Sequence, residues 1–397
     1  MMRRFGIILV LVLFAWQSKA TNFDLLKCDQ YTIDDGLPQS FVEDFFQDKK
    51  GFLWVSTQDG LSRFNGYEFE NFYSNPFDST TILSNYIIGM SNWNEDSICF
   101  TTRIGISIFD PISKKFKNFP FALNNDTIGA VTSSVFLDAD SIIVSTSKGL
   151  FGIKIVNNKC AVKNLKFRKK IKNVISLNNK IFFASDSTLY EITKTSVKKT
   201  KQFHENIKGI FPDENGIGIS FEKNFIHLDK ENKKAFSIPV GVNDCLLIDG
   251  KYWLATQEHG LIIYDHSSEK TFSESIHKKR NHFLLSSEIK CVFKDSFGII
   301  WIGTDNGINK IDPSKQQFLH YKSSQHSPKS SNNAWSFWEN DSLFLSGYDN
   351  GLQVHNKIKK AYYWIPCEGL ILDIICFNDT ILLGTSKGVY SLTKNDS

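Results

Sequence analysis

The stretches "GFLWVSTQDGLSRFN" at residues 51–65 and "GIIWIGTDNGINKID" at residues 298–312 place glycine, tryptophan, threonine and glycine at the same four offsets, and the positions between them keep their apolar or polar character. Repetition of this kind constrains a fold more than composition does, because each copy must bury its apolar face against a unit like itself. Weaker copies fill the interval. Taking the apolar residue that follows each turn as an anchor gives Leu61, Ile106, Leu150, Leu189, Phe225, Leu261, Ile308, Leu352 and Val389, at a mean spacing of about 41 residues.

That period suits both four-stranded propeller blades and paired-helix repeats, and the local pattern chooses strands. Short apolar, β-branched runs precede the anchors, among them "FLWVST", "SICFTT", "SIIVST", "KIFFAS", "KYWLAT" and "IIWIGT". They are too short for helices and too continuously apolar for a sheet with one wet face. Turn residues bracket them, with Asp48 to Gly51 and Asp295 to Gly298 upstream and Asp59-Gly60, Asn306-Gly307 and Lys387-Gly388 downstream. Glycine, Asn and Asp accept the positive φ that tight hairpins need.

Each repeat is therefore a four-stranded antiparallel meander, and sheets covered on both faces close into a ring, which is a β-propeller. Nine repeats exceed the four to eight blades of one ring. The expected architecture is all-β: a seven-bladed β-propeller of four-stranded antiparallel blades over residues 21–322, then about two blades of an incomplete second propeller over 323–397. Strand-like residues 22–32 are expected to close the first ring as the outer strand of its seventh blade, residues 316–322 to begin the second ring, and the last sheet to leave an apolar face without a neighbour.

The first 20 residues read as a cleaved export signal. Arg3 and Arg4 precede an apolar run from Phe5 to Trp16, and Ser18-Lys19-Ala20 supplies small residues for a peptidase, so the mature chain is expected to begin near Thr21 in the periplasm. Without Arg3, Arg4 and Lys19 the formal charge falls from +4 to +1, too little overall basicity to imply nucleic acid. The seven cysteines show no C-x-x-C and no paired Cys/His spacing, and Cys245, Cys291 and Cys376 sit in apolar runs as small hydrophobes.

The pattern D-x-x-G-x-(I/L)-W-(I/V)-(G/S)-T-x-x-G-(L/I), filled by Asp48 to Leu61 and by Asp295 to Ile308, resembles the two-component regulator propeller repeat, and "DDGLPQSFVEDFFQD" (34–48) resembles the start of the sensor half of hybrid two-component regulators. The resemblance implies two seven-bladed propellers, a small β-sandwich, a membrane helix, and a cytoplasmic histidine kinase with a response regulator. It also implies oligosaccharide inputs and a transcriptional output. This chain holds nine repeats and none of those later parts, which does not fit signalling by this chain alone; the expected partners are an oligosaccharide and either a second copy or a membrane-bound kinase.

No catalytic constellation accompanies the repeats. There is no G-x-S-x-G, H-E-x-x-H, Walker or EF-hand pattern, and "GIGIS" (216–220) lacks a third glycine and a following helix. No cofactor, metal or catalytic residue is assigned, and the chain is read as a non-enzyme. "KNLKFRKKIK" (163–172) is read as a charged outer strand and Trp335 and Trp338 as core between blades. Ligand contacts are expected where the hairpins between second and third strands share a face with the crossovers: Gln58, Asp59, Arg103, Gln257, Glu258, His259, Asp305, Asn306 and Tyr348, with Asp349 beside them. Amides, charged forks and a phenol suit a polyhydroxylated oligosaccharide. The alternatives are a secreted polysaccharide lyase or glycosidase, whose carboxylates would converge near the axis, and a protein-binding scaffold or truncated remnant.

Overall fold

The computed structural model describes residues 28–393, apart from 95, 124–125, 138–140, 157–158, 194–195, 232, 275–283, 315–332, 359–360 and 378–379. The export signal, the start at Thr21, the boundary at 322/323 and the strand at 316–322 lie outside the described residues. The chain divides into two compact units, Met1–Gln317 and Phe318–Ser397.

Among the described residues of the first unit there are seven four-stranded antiparallel sheets. Their innermost strands are Val42–Gln47, Ile87–Asn92, Val131–Phe136, Val174–Leu177, Gly209–Pro212, Val242–Ile248 and Ile289–Lys294. Each lies against the next, and the last lies against the first. Closure is made by the strand Cys28–Tyr31, which pairs antiparallel with Gly307–Ile311 in the register Cys28 to Ile311 and Tyr31 to Ile308. That strand is the outermost of the seventh sheet, and its Tyr31 ring meets Phe64, Phe69 and Trp301 at 5.2, 5.7 and 6.2 Å.

Second strands such as Leu53–Thr57, Ile98–Thr102 and Ile300–Thr304 are buried along their whole length, the consequence of sheets covered on both faces. The anchors from Leu61 to Leu352 are all buried at the start of third strands, Phe225 and Leu261 as the first residue and the others as the second. The signature aspartates do more than turn the chain: Asp48 accepts N–H bonds from Lys50 and Phe52 through Oδ1, and its Oδ2 accepts from the indole of Trp54 at 2.9 Å. Asp295 repeats this with Phe297, Ile299 and Trp301. The fifth sheet has no tryptophan. There Gly218 stands opposite His227 across the ladder, and the buried imidazole Nε2 meets the turn carboxylate of Asp213 at 2.8 Å.

One sequence reading is corrected. The strand Lys159–Asn164 ends before most of the basic run, and residues 165–173 form the crossover to the fourth sheet. Leu165 and Phe167 turn inward there, Phe167 packing on Phe183 at 4.7 Å and Tyr190 at 5.1 Å.

Among the described residues the second unit contains one four-stranded sheet, starting with Ser336–Glu339, and one of three strands, Ile371–Phe377, Thr380–Thr385 and Gly388–Thr393. Leu345, Leu352, Ile371, Ile374 and Leu383 form their shared core, with Trp338 packed against it, whereas Trp335 is 51 % exposed. The ninth anchor, Val389, is 77 % exposed, as are Ile375 (54 %) and Phe377 (69 %) on the same face of the three-stranded sheet. Among the described residues no helix is long and apolar enough to cross a membrane.

Candidate functional site

The hairpins between second and third strands are built by the threonine and glycine of the repeat. Thr57 Oγ1 donates to the Gly60 carbonyl at 3.0 Å, Thr102 to Gly105 at 3.0 Å and Thr304 to Gly307 at 2.9 Å. The same hydroxyls accept the N–H groups of Asp59, Ile104 and Asn306. Gly307 has φ +117°, and a Cβ there would lie 2.4 Å from the Tyr31 carbonyl, so only glycine fits. Held in this way, each hairpin turns its central side chains away from the sheet.

β-bulges supply the rest of the face. The pairing register shifts between Val42 and Asp44, between Val242 and Asp244, and between Ile289 and Cys291. A bulge re-aims the side chain of its extra residue, here Glu43, Asn243 and Lys290. Asn243 accepts from Gln257 Nε2 at 2.9 Å and donates to the Ile289 carbonyl at 2.7 Å and to Glu288 Oε1 at 3.3 Å. Glu288 also accepts from Lys290 Nζ at 2.6 Å and from the Glu258 N–H at 3.3 Å. Lys290 lies 4.7 Å over the ring of Phe41, whose carbonyl accepts the Gln58 N–H at 3.1 Å. On the other side, Tyr86 donates to Glu43 Oε1 at 3.2 Å, and Arg103 stacks on the Tyr86 ring at 3.9 Å.

Eight of the nine residues singled out from the sequence thus lie on the first unit. Gln257, Glu258, Asp305 and Gln58 are tied into one polar network across the sixth, seventh and first sheets, the Asp305 N–H bonding to the Glu288 carbonyl at 3.4 Å. His259 is held by its own loop, Nδ1 lying 2.8 Å from the Gln257 carbonyl. Asp59 accepts from Asn85 at 2.7 Å, Asn306 is exposed, and Arg103 is drawn to Tyr86. Tyr348 is corrected: it belongs to the second unit, is 2 % exposed, and its phenol donates to Gln353 at 3.1 Å, so its ring is core of its hairpin. The sequence does not point to Glu43, Asn243 and Lys290, because bulge positions depend on strand register and carry no residue signature, nor to Phe41, Asn85, Tyr86 and Glu288, which lie in the crossovers just before the innermost strands.

Electrostatics sharpen this face. The Tyr86 phenol is pushed above its ordinary value by burial and then by the Glu43 carboxylate. Just inside, Asp44 and Asp244 face the ring's inner wall, where solvent reaches Asp44 although strands surround it. Enclosure, followed by the charge of Asp244, raises Asp44 to about 7, while Asp244 is raised by enclosure against two N–H bonds, from Cys245 and Val292. Asp305 Oδ1 is buried with no hydrogen-bond partner among the described residues, an acceptor whose desolvation nothing offsets. Among the described residues, no three His, Cys, Asp or Glu cluster as a metal site, and all seven cysteines are free thiols. The site offers amides, carboxylates and aromatic faces around Lys290 and Arg103, which is chemistry for binding hydroxyl groups.

A ring of repeated four-stranded antiparallel sheets, each innermost strand lying against the next, is an all-β propeller. Residues 36–59 and 284–306 match the two component regulator propeller model; the chain carries two-component regulator propeller repeats. An 84-residue stretch, 20 % of this chain, is 44 % identical to a protein described as histidine kinase P4 from Formosa agariphila and covers 6 % of that protein. The fold resembles the extracellular domain of a hybrid two-component system from B. thetaiotaomicron, with TM-score 0.66 and 21 % identity over 94 % of this chain and 54 % of that one. A second such domain from the same organism gives TM-score 0.60 and 15 % identity over 94 % and 53 %. The chain spans about half the length of these domains, and at such identities the likeness is one of fold.

Proposed function

We propose that the chain is the exported, ligand-sensing propeller region of a two-component regulator, that it binds an oligosaccharide without altering it, and that its response passes through a kinase outside these residues. The seven-plus-two division at residues 322/323 and periplasmic placement after removal of residues 1–20 belong to the same reading. The observation that carries it is the polar network of the sixth, seventh and first sheets, set on two-component regulator propeller repeats. Hydroxyl-rich ligands need many fixed donors and acceptors on a rigid frame. The buried Asp305 Oδ1, without a partner among the described residues, lies beside this network.

Calorimetry against a panel of oligosaccharides, with chromatography of each glycan afterwards, tests the proposal. The expected result is saturable heat with at least one unaltered glycan, weakened at least tenfold by Asn243→Ala with Glu288→Gln. Turnover abolished by substituting Asp44 or Asp244 would favour a propeller enzyme instead.

A further inference from the structure

Between Asp140 and Asp186 the chain carries ten Lys and Arg and no carboxylate. Since the whole chain is at +4, everything outside that stretch sums to −6. The fold gathers seven of the ten, Lys154, Lys159, Lys163, Lys166, Arg168, Lys169 and Lys170, on one sector of the rim, the outer strands of the third sheet and the crossover that leaves it. Lys159 and Lys163 are exposed on the outermost strand Lys159–Asn164, on the same side as Lys154, which pairs with Ala161. Lys166, Arg168, Lys169 and Lys170 are exposed on the crossover, which the Phe167 carbonyl ties to the Leu150 N–H at 3.1 Å, next to the hairpin face. Lys198 and Lys199 extend the sector along the strand Val197–Gln202.

Lysines on an outermost strand also discourage edge-to-edge pairing, which accounts for Lys159 and Lys163. It does not account for the four crossover cations, which lie on no edge. None of Lys163, Lys166, Arg168, Lys169 and Lys170 forms an ion pair with a described carboxylate; within the acid-free stretch Lys180 pairs with Glu191 at 3.3 Å. The crossover is pinned by Leu165 and Phe167 against the fourth sheet. It therefore holds like charges together on a fixed frame and sets up a local field that favours an anion.

We propose that this rim is a docking surface for an acidic polysaccharide bearing carboxylate or sulfate groups along its length. Same-side residues four apart on a strand stand ~13 Å from each other, so Lys159 and Lys163 form a line that continues into the crossover, a match for a linear polyanion. Val156 is the one large apolar side chain exposed among the described residues of the acid-free stretch. A single valine is no aromatic platform for nucleotide bases and too little apolar surface to enter a bilayer. The surface is separate from the network of the sixth, seventh and first sheets and does not depend on the reading given for that network.

The test uses the chain with polygalacturonate as carboxylated probe, heparin as sulfated probe, dextran as neutral control, and vesicles containing about one-third anionic phospholipid. Binding to at least one acidic polysaccharide, falling steeply with added salt, and none to dextran is expected. Substituting Lys166, Arg168, Lys169 and Lys170 by Gln should weaken it at least tenfold with an unchanged thermal melt. Substituting Lys115, Lys230, Lys251 and Lys294 by Gln removes the same net charge and should change it less than twofold. Asn243→Ala with Glu288→Gln should leave it intact. Equal loss in the two quadruple variants, loss in the Asn243 and Glu288 variant, binding to vesicles alone, or binding to no acidic polysaccharide would each overturn the proposal.

Discussion

Tyr31→Ala is the sharpest perturbation of ring closure. The four residues Cys28–Tyr31 join the seventh sheet by a short antiparallel ladder. Each hydrogen bond of such a ladder returns about 1 kcal/mol net, whereas ordering each residue costs about 1–2 kcal/mol. The ladder alone does not hold the strand in place. The difference is made by the Tyr31 ring, which touches Phe64 and Phe69 of the first sheet and Trp301 of the seventh. At ~0.5–1.5 kcal/mol per aromatic pair, its removal should cost about 2–4 kcal/mol. Urea unfolding followed by tryptophan fluorescence should show a midpoint shift of that size in Tyr31→Ala, and a loss under about 1 kcal/mol in Tyr31→Phe, which keeps the ring. If Tyr31→Ala unfolded with the wild-type midpoint, or Tyr31→Phe were equally damaging, the ring would not be closed by this contact.

Further outcomes follow from equivalent positions in the repeat. Asp295→Ala strips the acceptor from the buried Trp301 indole and should cost about 1–3 kcal/mol in denaturant melts; an unchanged midpoint would mean that the signature aspartate serves the turn alone. Leu61 and Val389 occupy the same repeat position, one buried and one 77 % exposed. Leu61→Ala should therefore cost about 2–5 kcal/mol and Val389→Ala under about 0.5 kcal/mol, and comparable losses would contradict the uncovered last sheet. Asp44 has its folded pKa raised to about 7 from 3.8. Its contribution is fully present below pH 4 and lost as pH rises through 7, so Asp44→Asn should raise the melting temperature at pH 8 relative to wild type and flatten the slope between pH 4 and 7. An unchanged slope would remove Asp44 from the account.

The period was legible because every repeat must turn on both sides of its second strand, and turns draw on few residue types; Gly60, Gly307 and the threonines before them mark the hairpins in sequence and in space. The bond from Trp54 to Asp48 could be suspected only as a recurring offset of six, since one side chain explains a turn and the indole explains a core. His227 was invisible as the counterpart of that tryptophan, because it arrives from the facing strand rather than from the repeat position itself. On the hairpin face the loop residues were legible and their supports were not: Glu43, Asn243 and Lys290 reach the surface through register shifts that depend on pairing. Tyr348 misled because a turn position implies solvent, yet its ring found Trp364 and Gln353. The basic run misled because alternating cations read as an edge strand, while Leu165 and Phe167 pull the chain off the sheet.

A crystal structure of the chain with the tightest-binding oligosaccharide from the panel tests the sensing role most directly. The account predicts an intact glycan on the hairpin face of the first unit, touching Gln257, Glu258, Asp305 and Gln58. A glycan bound on the opposite face of the ring, or found cleaved beside Asp44 and Asp244, would contradict it.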